Sequence, residues 1–333
     1  MPVMPLSQAR VADPVLTNIV QGYRQPEFVA SFLSPSVPVS LRAGKIVTFG
    51  KEDFVLHQTR RSPGGPVNRK SSKYGSRSYE LYQDAIAEEV TLEEAEEAIN
   101  GAARINLRTN APKRAMRTIM LGLEKDTADL MQSSAQYETA NTVALSSGDR
   151  WDNYTSGTSN PSQDMNNWKE AVRDQIGVYP NRAVIGPKVY LALKDHPLII
   201  ERVKYTSSDS VTLALIAQYF DMPGGIKVGG GKYLDASDNL ADIWGKNVVL
   251  GYVPTEADAD MGYLTPQPGI DKETPAYSYT YVLNGYPMAE PERWDPDKGV
   301  FVYPVWAERA PELVGMGATG KCCAGFLGTT VVS

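Results

Sequence analysis

The sequence predicts an α+β fold, and three observations carry that reading. Apolar residues recur at helical steps through residues 110–136. Strand-like runs gather in residues 45–83 and again in residues 277–309. Between these, residues 141–197 hold a helix, a turn, a short strand and a second helix in close succession.

Bulk properties set the frame. A chain of 333 residues has room for about two domains with sizeable cores. Its 42% hydrophobic and 22% charged content is that of a globular protein. A net charge of −6 argues against a protein that coats phosphate backbone. Cys322 and Cys323 are adjacent, and a bridge between neighbours needs a strained ring, so both read as reduced thiols suited to a reducing cytoplasm. The start, Met1-Pro2-Val3-Met4-Pro5, lacks the basic and apolar regions of a secretory signal. No run approaches the ~18 apolar residues of a membrane span.

Residues 1–44 carry Pro14, Pro26, Pro35 and Pro38, a spacing that no long helix survives. They are expected to form an extended arm lying across another surface. Residues 45–83 place strands Ile46–Phe49, Asp53–Leu56 and Tyr79–Tyr82 around a segment from Arg60 to Arg77 with six basic side chains and no acidic one. With almost nothing apolar, that segment cannot pack on its own core and should project as a two-stranded loop. Asp84 to Glu97 then carries seven acidic side chains and no basic one. The two segments are complementary between copies of the chain. On the basic side the expected contacts are Arg60, Arg61, Arg69, Lys70, Lys73 and Arg77. On the acidic side they are Glu88, Glu89, Glu93, Glu94, Glu96 and Glu97. Each exposed pair is worth only ~0–1 kcal/mol, so such pairs steer register more than they add affinity.

The longest helix is expected from a cap at Asn110, with Pro112 in the first turn. Met116, Ile119, Met120, Leu123, Thr127, Leu130 and Met131 form its apolar stripe. Lys113, Arg114, Arg117, Glu124, Lys125 and Asp129 are assigned to its polar face. It should lie on a sheet, about 40 Å long. Next comes Thr142-Val143-Ala144-Leu145-Ser146-Ser147-Gly148 with Trp151 close behind, then a polar connector. A helix bearing Met165, Trp168, Val172 and Ile176 should start at Ser162 and stop at Gly177. Arg182–Gly186 reads as a buried strand, and Pro187 opens a second helix that ends at His196-Pro197. Residues 206–290 form another globular portion, with an apolar helix Val211–Phe220 capped by Ser208 or Asp209. Strands follow at Ile226–Val228 and Asn247–Val253. Tyr277–Val282 and Gly299–Trp306 are long strands that should pair beside the long helix.

The motifs of enzymes fail one by one. Gly315-Met316-Gly317-Ala318-Thr319-Gly320 fits a dinucleotide pattern, but only thirteen residues follow it, too few for the helix and acidic residue that hold ribose. Gly229-Gly230-Gly231-Lys232 lacks the glycine and hydroxyl of a phosphate loop, having Ile226 and Tyr233 there, and reads as a turn between strands. Glu256, Asp258 and Asp260 are spaced like a calcium loop, yet Met261 and Gln267 replace the required glycine and glutamate. His57 and His196 are the only histidines, too few for a zinc site, and no G-x-S-x-G is present. No catalytic residue, cofactor or metal ligand is assigned.

The order of elements in residues 141–205 nevertheless carries a specific resemblance. The strand ending near Gly148 and Trp151, the variable connector, the amphipathic helix, and Pro180-Asn181-x-x-Val184-Ile185-Gly186-x-x-Val189-x-x-Ala192-Leu193-x-x-His196-Pro197 followed by Ile200–Tyr205 closely resemble the major capsid proteins of tailed bacteriophages. The resemblance implies their common capsid fold, the Johnson fold. Residues 1–44 would be the N-terminal arm and 45–83 the extended loop that lies over a neighbouring subunit. Residues 84–158 and 285–313 would form a peripheral domain with a spine helix at 112–136, and residues 159–284 and 314–333 an axial domain. It implies a structural protein of the virion, assembled in the bacterial host cytoplasm into hexamers and pentamers that close an icosahedral shell around double-stranded DNA, with no sequence-specific DNA contact. Portal and decoration proteins are further implied partners. The chain lacks the long charged helical extension of relatives that carry a fused scaffold, so a separate scaffolding protein is expected, or none. Two other readings stand beside it: the shell of an encapsulin-like cellular nanocompartment with the same fold, and a soluble α/β enzyme with an unrecognised site.

Overall fold

Asp13 stands at the start of the first helix among the described residues. In the computed structural model, which describes residues 12–48, 56, 59–61, 63, 67, 69, 75–100, 106–155, 157–204, 211–254, 264, 276–315, 317 and 320–333, its carboxylate accepts from Val15 N at 2.8 Å and Leu16 N at 3.0 Å. It thereby caps α1 (Pro14–Gln21). A single turn, α2 (Ala30–Leu33), and strand β1 (Ser36–Val39) follow. Leu16, Val20, Phe28, Val29, Phe32 and Leu33 are all buried in the main core. The extended arm expected for residues 1–44 is therefore corrected over residues 12–44, which lie on the chain's own body; residues 1–11 are outside the described residues. The prolines permit this because of where they fall. Pro14 is the first residue of α1, where a missing N–H costs nothing. Pro38 is exposed on β1, which lies at an edge of its sheet.

Strands β2 (Ala43–Thr48) and β3 (Gly75–Glu80) form an antiparallel pair from Ala43↔Glu80 to Thr48↔Gly75. Strand β4 (Tyr82–Thr91) and helix α3 (Leu92–Asn100) come next. The long helix α4 (Leu107–Gln132) has 26 residues, about 39 Å. It begins earlier than expected. Asn106, not Asn110, supplies the cap, accepting from Thr109 N at 3.3 Å. Pro112 thus falls inside the helix, in its second turn.

After β5 (Thr142–Ala144) come α5 (Pro161–Ile176), β6 (Arg182–Ile185), α6 (Pro187–Lys194), α7 (Pro197–Val203) and α8 (Leu213–Tyr219). Asn160 rather than Ser162 caps α5, since Pro161 takes the first helical position; Gly177 ends it with φ +73°. Thr212 caps α8 through Leu215 N, while Ser208 and Asp209 lie outside the described residues. The remaining strands are β7 (Ile226–Val228), β8 (Lys232–Leu234), β9 (Leu240–Asp242), β10 (Val248–Gly251), β11 (Ser278–Leu283), β12 (Met288–Ala289), β13 (Arg293–Asp295), β14 (Val300–Leu313) and β15 (Gly325–Thr329).

Two sheets organise these elements. In the six-stranded sheet, β14 is the axis. One edge pairs with β4 over ten residues, Val300↔Thr91 to Arg309↔Tyr82. The other edge is shared in turn by β13, β12 and β11, and β1 adds in parallel to β11. Helix α4 packs on β4 and β14, as the sequence predicts. The five-stranded sheet runs β5-β15-β10-β6-β7. Its residues alternate between two cores. Val184, Val249 and Leu327 face the core that holds α4 and residues 16–33. Ala183, Ile185, Val248, Leu250 and Phe326 face the core under α5 to α8, where Trp151, Trp168 and Phe326 stack. At Gly186 a Cβ would lie 1.9 Å from the Gly245 carbonyl oxygen, which is why strand and helix are joined there by glycine. Two strands sit across the expected division of the chain. β5, placed with residues 84–158, belongs to the five-stranded sheet, and β11, placed with residues 159–284, belongs to the six-stranded one.

Candidate assembly surfaces

The root of the β2–β3 hairpin is fastened to the body by charge and by aromatic packing. Arg42 donates to both carboxylate oxygens of Glu308, at 2.7 Å each, and Gln83 Nε2 donates to Glu308 Oε1 at 2.6 Å. Glu308 is 1% exposed. Burial works to raise its carboxyl, yet these donors hold it below its ordinary value. Tyr79 stacks on Tyr281 with ring centroids 5.1 Å apart and donates to the Leu41 carbonyl.

Of the basic side chains singled out in the loop, Arg60, Arg61 and Arg69 are exposed. Lys70 and Lys73 lie outside the described residues, as does His57. Arg77 reaches Glu312 of its own chain at 3.7 Å. The acidic segment divides sharply. Asp84 pairs with buried Arg309 at 2.7 Å, Glu88 with Arg114 at 3.5 Å and Glu89 with Lys298 at 2.9 Å. Glu94 and Thr91 cap one another across the first turn of α3, each backbone N–H meeting the other's side chain at 3.2 Å. Glu93, Glu96 and Glu97 remain, exposed on α3 and without an ion pair among the described residues.

A second polar cluster escaped the sequence reading. Glu124, assigned to the polar face of the long helix, is fully buried. Its Oε1 accepts from Val29 N at 3.0 Å and Trp244 Nε1 at 2.5 Å, and its Oε2 accepts from Ala30 N at 2.9 Å. Burial pushes its carboxyl up to about 7 against the pull of these donors. At the other end of α2, Arg182 donates to the Phe32 carbonyl at 3.0 Å. The Phe32 ring has the Arg182 guanidinium and the Lys227 ammonium each 5.0 Å from its centroid. One helical turn is thus held with a carboxyl at its N-terminus and a cation at its C-terminus, between α4 and the five-stranded sheet. Spacing carried the signal: Glu124 falls four residues after Met120 and three before Thr127, on the apolar stripe itself.

Among the described residues the chemistry-bearing side chains do not converge. His196 caps α7, accepting from Leu198 N at 3.3 Å through Nδ1, and its Nε2 meets Ser159 Oγ at 3.2 Å. Burial holds this imidazole below its ordinary value. Cys322 and Cys323 are buried and unbridged, and burial raises the Cys322 thiol. An open groove of about 780 Å³ runs between α5, α7 and α8, lined by Asn160, Gln163, Asn166, Leu198, Arg202 and Tyr219 among others. Among the described residues no cluster of three or more His, Cys, Asp or Glu could hold a metal ion, and no helix is long and apolar enough to cross a membrane. Glu256, Asp258, Asp260, Met261 and Gln267 of the candidate calcium loop lie outside the described residues.

The profile of the family described as Phage major capsid protein E matches residues 121–297. The chain is 35% identical over 286 residues to the "Major capsid protein" of Burkholderia phage BcepMu, covering 86% of this chain and 88% of that one. It is similar in structure to a phage-related protein from Bordetella bronchiseptica RB50, with a TM-score of 0.77, 32% identity, and coverage of 96% of this chain and 98% of the other. It shares a fold with a chain of the capsid structure of cyanophage P-SCSP1u at a TM-score of 0.53 and 9% identity, over 92% and 89% of the two chains.

Proposed function

The chain belongs to the phage major capsid protein family, and from that premise we propose how it builds a shell. It is a structural subunit of the icosahedral phage capsid, and its work is self-association rather than catalysis. The family match over residues 121–297, which includes strands of both sheets, carries this reading. The encapsulin-like reading is less well supported, because the relative at 35% identity is a phage major capsid protein.

Within that function, hexamers and pentamers are the assembly units, formed in the host cytoplasm and closed around double-stranded DNA. The six-stranded sheet with α4 serves as the peripheral domain and the five-stranded sheet with α5–α8 as the axial domain. Arg60, Arg61 and Arg69 of the projecting loop, with Lys70 and Lys73, meet α3 of the adjacent copy. The exposure of Glu93, Glu96 and Glu97 supports α3 as the receiving face. Asp84, Glu88 and Glu89 are engaged at home and contribute less. Portal, decoration and scaffolding proteins are the further partners. Negative-stain electron microscopy of the purified chain, alone and with a candidate scaffold, tests the reading. Closed particles built of five- and six-membered rings are expected; a small discrete oligomer under every condition would overturn it.

A further inference from the structure

The five-stranded sheet separates two exposed apolar patches that bear opposite charge. On the side of α5–α8, the α6–α7 pair exposes Leu191, Leu198 and Ile200 at 58%, 40% and 45%. Around them Lys188, Lys194, Arg202 and Lys204 are exposed, four cations against the two acids Asp195 and Glu201. On the other side the β8–β9 hairpin exposes Leu234 and Leu240 at 58% and 67%. Its turn carries Asp235 and Asp238, while Lys232 is drawn to Asp242 at 3.4 Å. That turn is already shaped: Asp235 Oδ1 accepts from Ser237 N at 2.8 Å and Asn239 N at 2.9 Å, and Asp238 takes φ +58°.

The cores fix the placement. Ile243 and Trp244, which follow β9, pack with Val184 in one core. Val189, Leu193 and Ile199 of α6 and α7 pack with Ala183 and Ile185 in the other. Successive residues of β6 thus point toward the two patches in turn. Patches that differ in shape and charge and lie on opposite faces do not suit a two-fold contact. They suit a head-to-tail contact, which repeats in one direction and closes a ring when the rotation allows.

We propose that the β8–β9 hairpin of one copy docks on the α6–α7 pair of the next, placing Leu234 and Leu240 against Leu191, Leu198 and Ile200, and Asp235 and Asp238 beside Lys188 and Lys194. The inference rests on the shell-subunit reading and names the side chains through which neighbouring axial domains meet. The occupant is a second copy of this chain because both halves of the contact, apolar and charged, are supplied by it. Opposite charge then sets orientation, and the leucines supply the buried area.

Charge exchange tests it in the full-length chain. The pair Lys188→Glu with Lys194→Glu is expected to leave the thermal unfolding midpoint unchanged, and Asp235→Lys with Asp238→Lys to lower it slightly by loosening the hairpin turn. Each pair is expected to lower the assembled fraction by about tenfold or more. All four substitutions in one chain restore complementarity and are expected to restore assembly. Wild-type assembly by both pairs, or no recovery in the fourfold variant, overturns the contact. If the unsubstituted chain forms no shell either alone or with a scaffold, the shell-subunit reading fails separately. Oxidation of a Leu191→Cys, Leu240→Cys chain then decides the contact, since linked dimers and higher ladders support it and monomer alone overturns it.

Discussion

Two neighbouring segments of this chain look alike in sequence and behave differently. The leader through residue 44 and the loop that follows are both rich in proline and glycine, and neither shows a long amphipathic pattern. Over residues 12–44 the leader lies on its own body. The root of the loop is fastened there too, but Arg60, Arg61 and Arg69 beyond it are exposed. Apolar content separates them, rather than proline. The leader supplies Leu16, Val20, Phe28, Val29, Phe32 and Leu33, all buried, which can outweigh the ordering of a short segment. Arg60 to Arg77 supplies almost nothing of that kind. A segment is retained by its own molecule when it brings large side chains to bury, and charge alone leaves it available to a neighbour.

The sharpest way to break this contrast is to remove the leader's anchor. Phe32→Ala empties a buried site and withdraws the ring from two cations, so a loss of about 4 kcal/mol is expected in urea unfolding, with new protease cleavage in residues 12–34. Next in size is the Glu124 clamp. Its folded value of about 7 lies above the unfolded 4.5. The folded state therefore holds more protons at this group in that window, and the group's contribution to stability is full below about 4.5 and is lost as pH rises through about 7. The span is about 3 kcal/mol, to be followed by unfolding at stepped pH, and Glu124→Gln should flatten that slope. Arg42→Ala strips the root of the hairpin and leaves Glu308 buried without its cation, held by the neutral donors Gln83 and Tyr286. About 2 kcal/mol should be lost in the same unfolding assay. Smallest of all for the monomer is Arg60→Glu with Arg61→Glu and Arg69→Glu, within about 0.5 kcal/mol by unfolding. The same variant should fail to assemble in sedimentation, and normal shells would remove the proposed loop contact.

Much of the fold was legible because its punctuation is local. Gly177 and Pro187 mark a helix end and a helix start through backbone geometry that needs no distant partner. The apolar stripe of α4 was legible for the same reason. The α4 cap was not, because Asn106 and Asn110 are equally good caps in sequence and Pro112 made the later one attractive. The parallel pairing of β1 with β11 joins Ser36 to Thr280, and nothing in either strand names the other. Glu124 was misplaced by its charge although its spacing put it on the stripe. The acidic block was read as one surface, whereas the ladder with β14 and the cations Arg309, Arg114 and Lys298 divided it.

The ladder between β4 and β14 has a mechanical consequence. Strand β3 runs through Leu81 directly into β4, so any tension applied at the loop is delivered along β4 toward its ten partners on β14. A ladder pulled lengthwise must shear all its rungs together, whereas one pulled sideways unzips rung by rung. The loop of this subunit is therefore tethered as a strap is tethered, by a seam laid parallel to the strain.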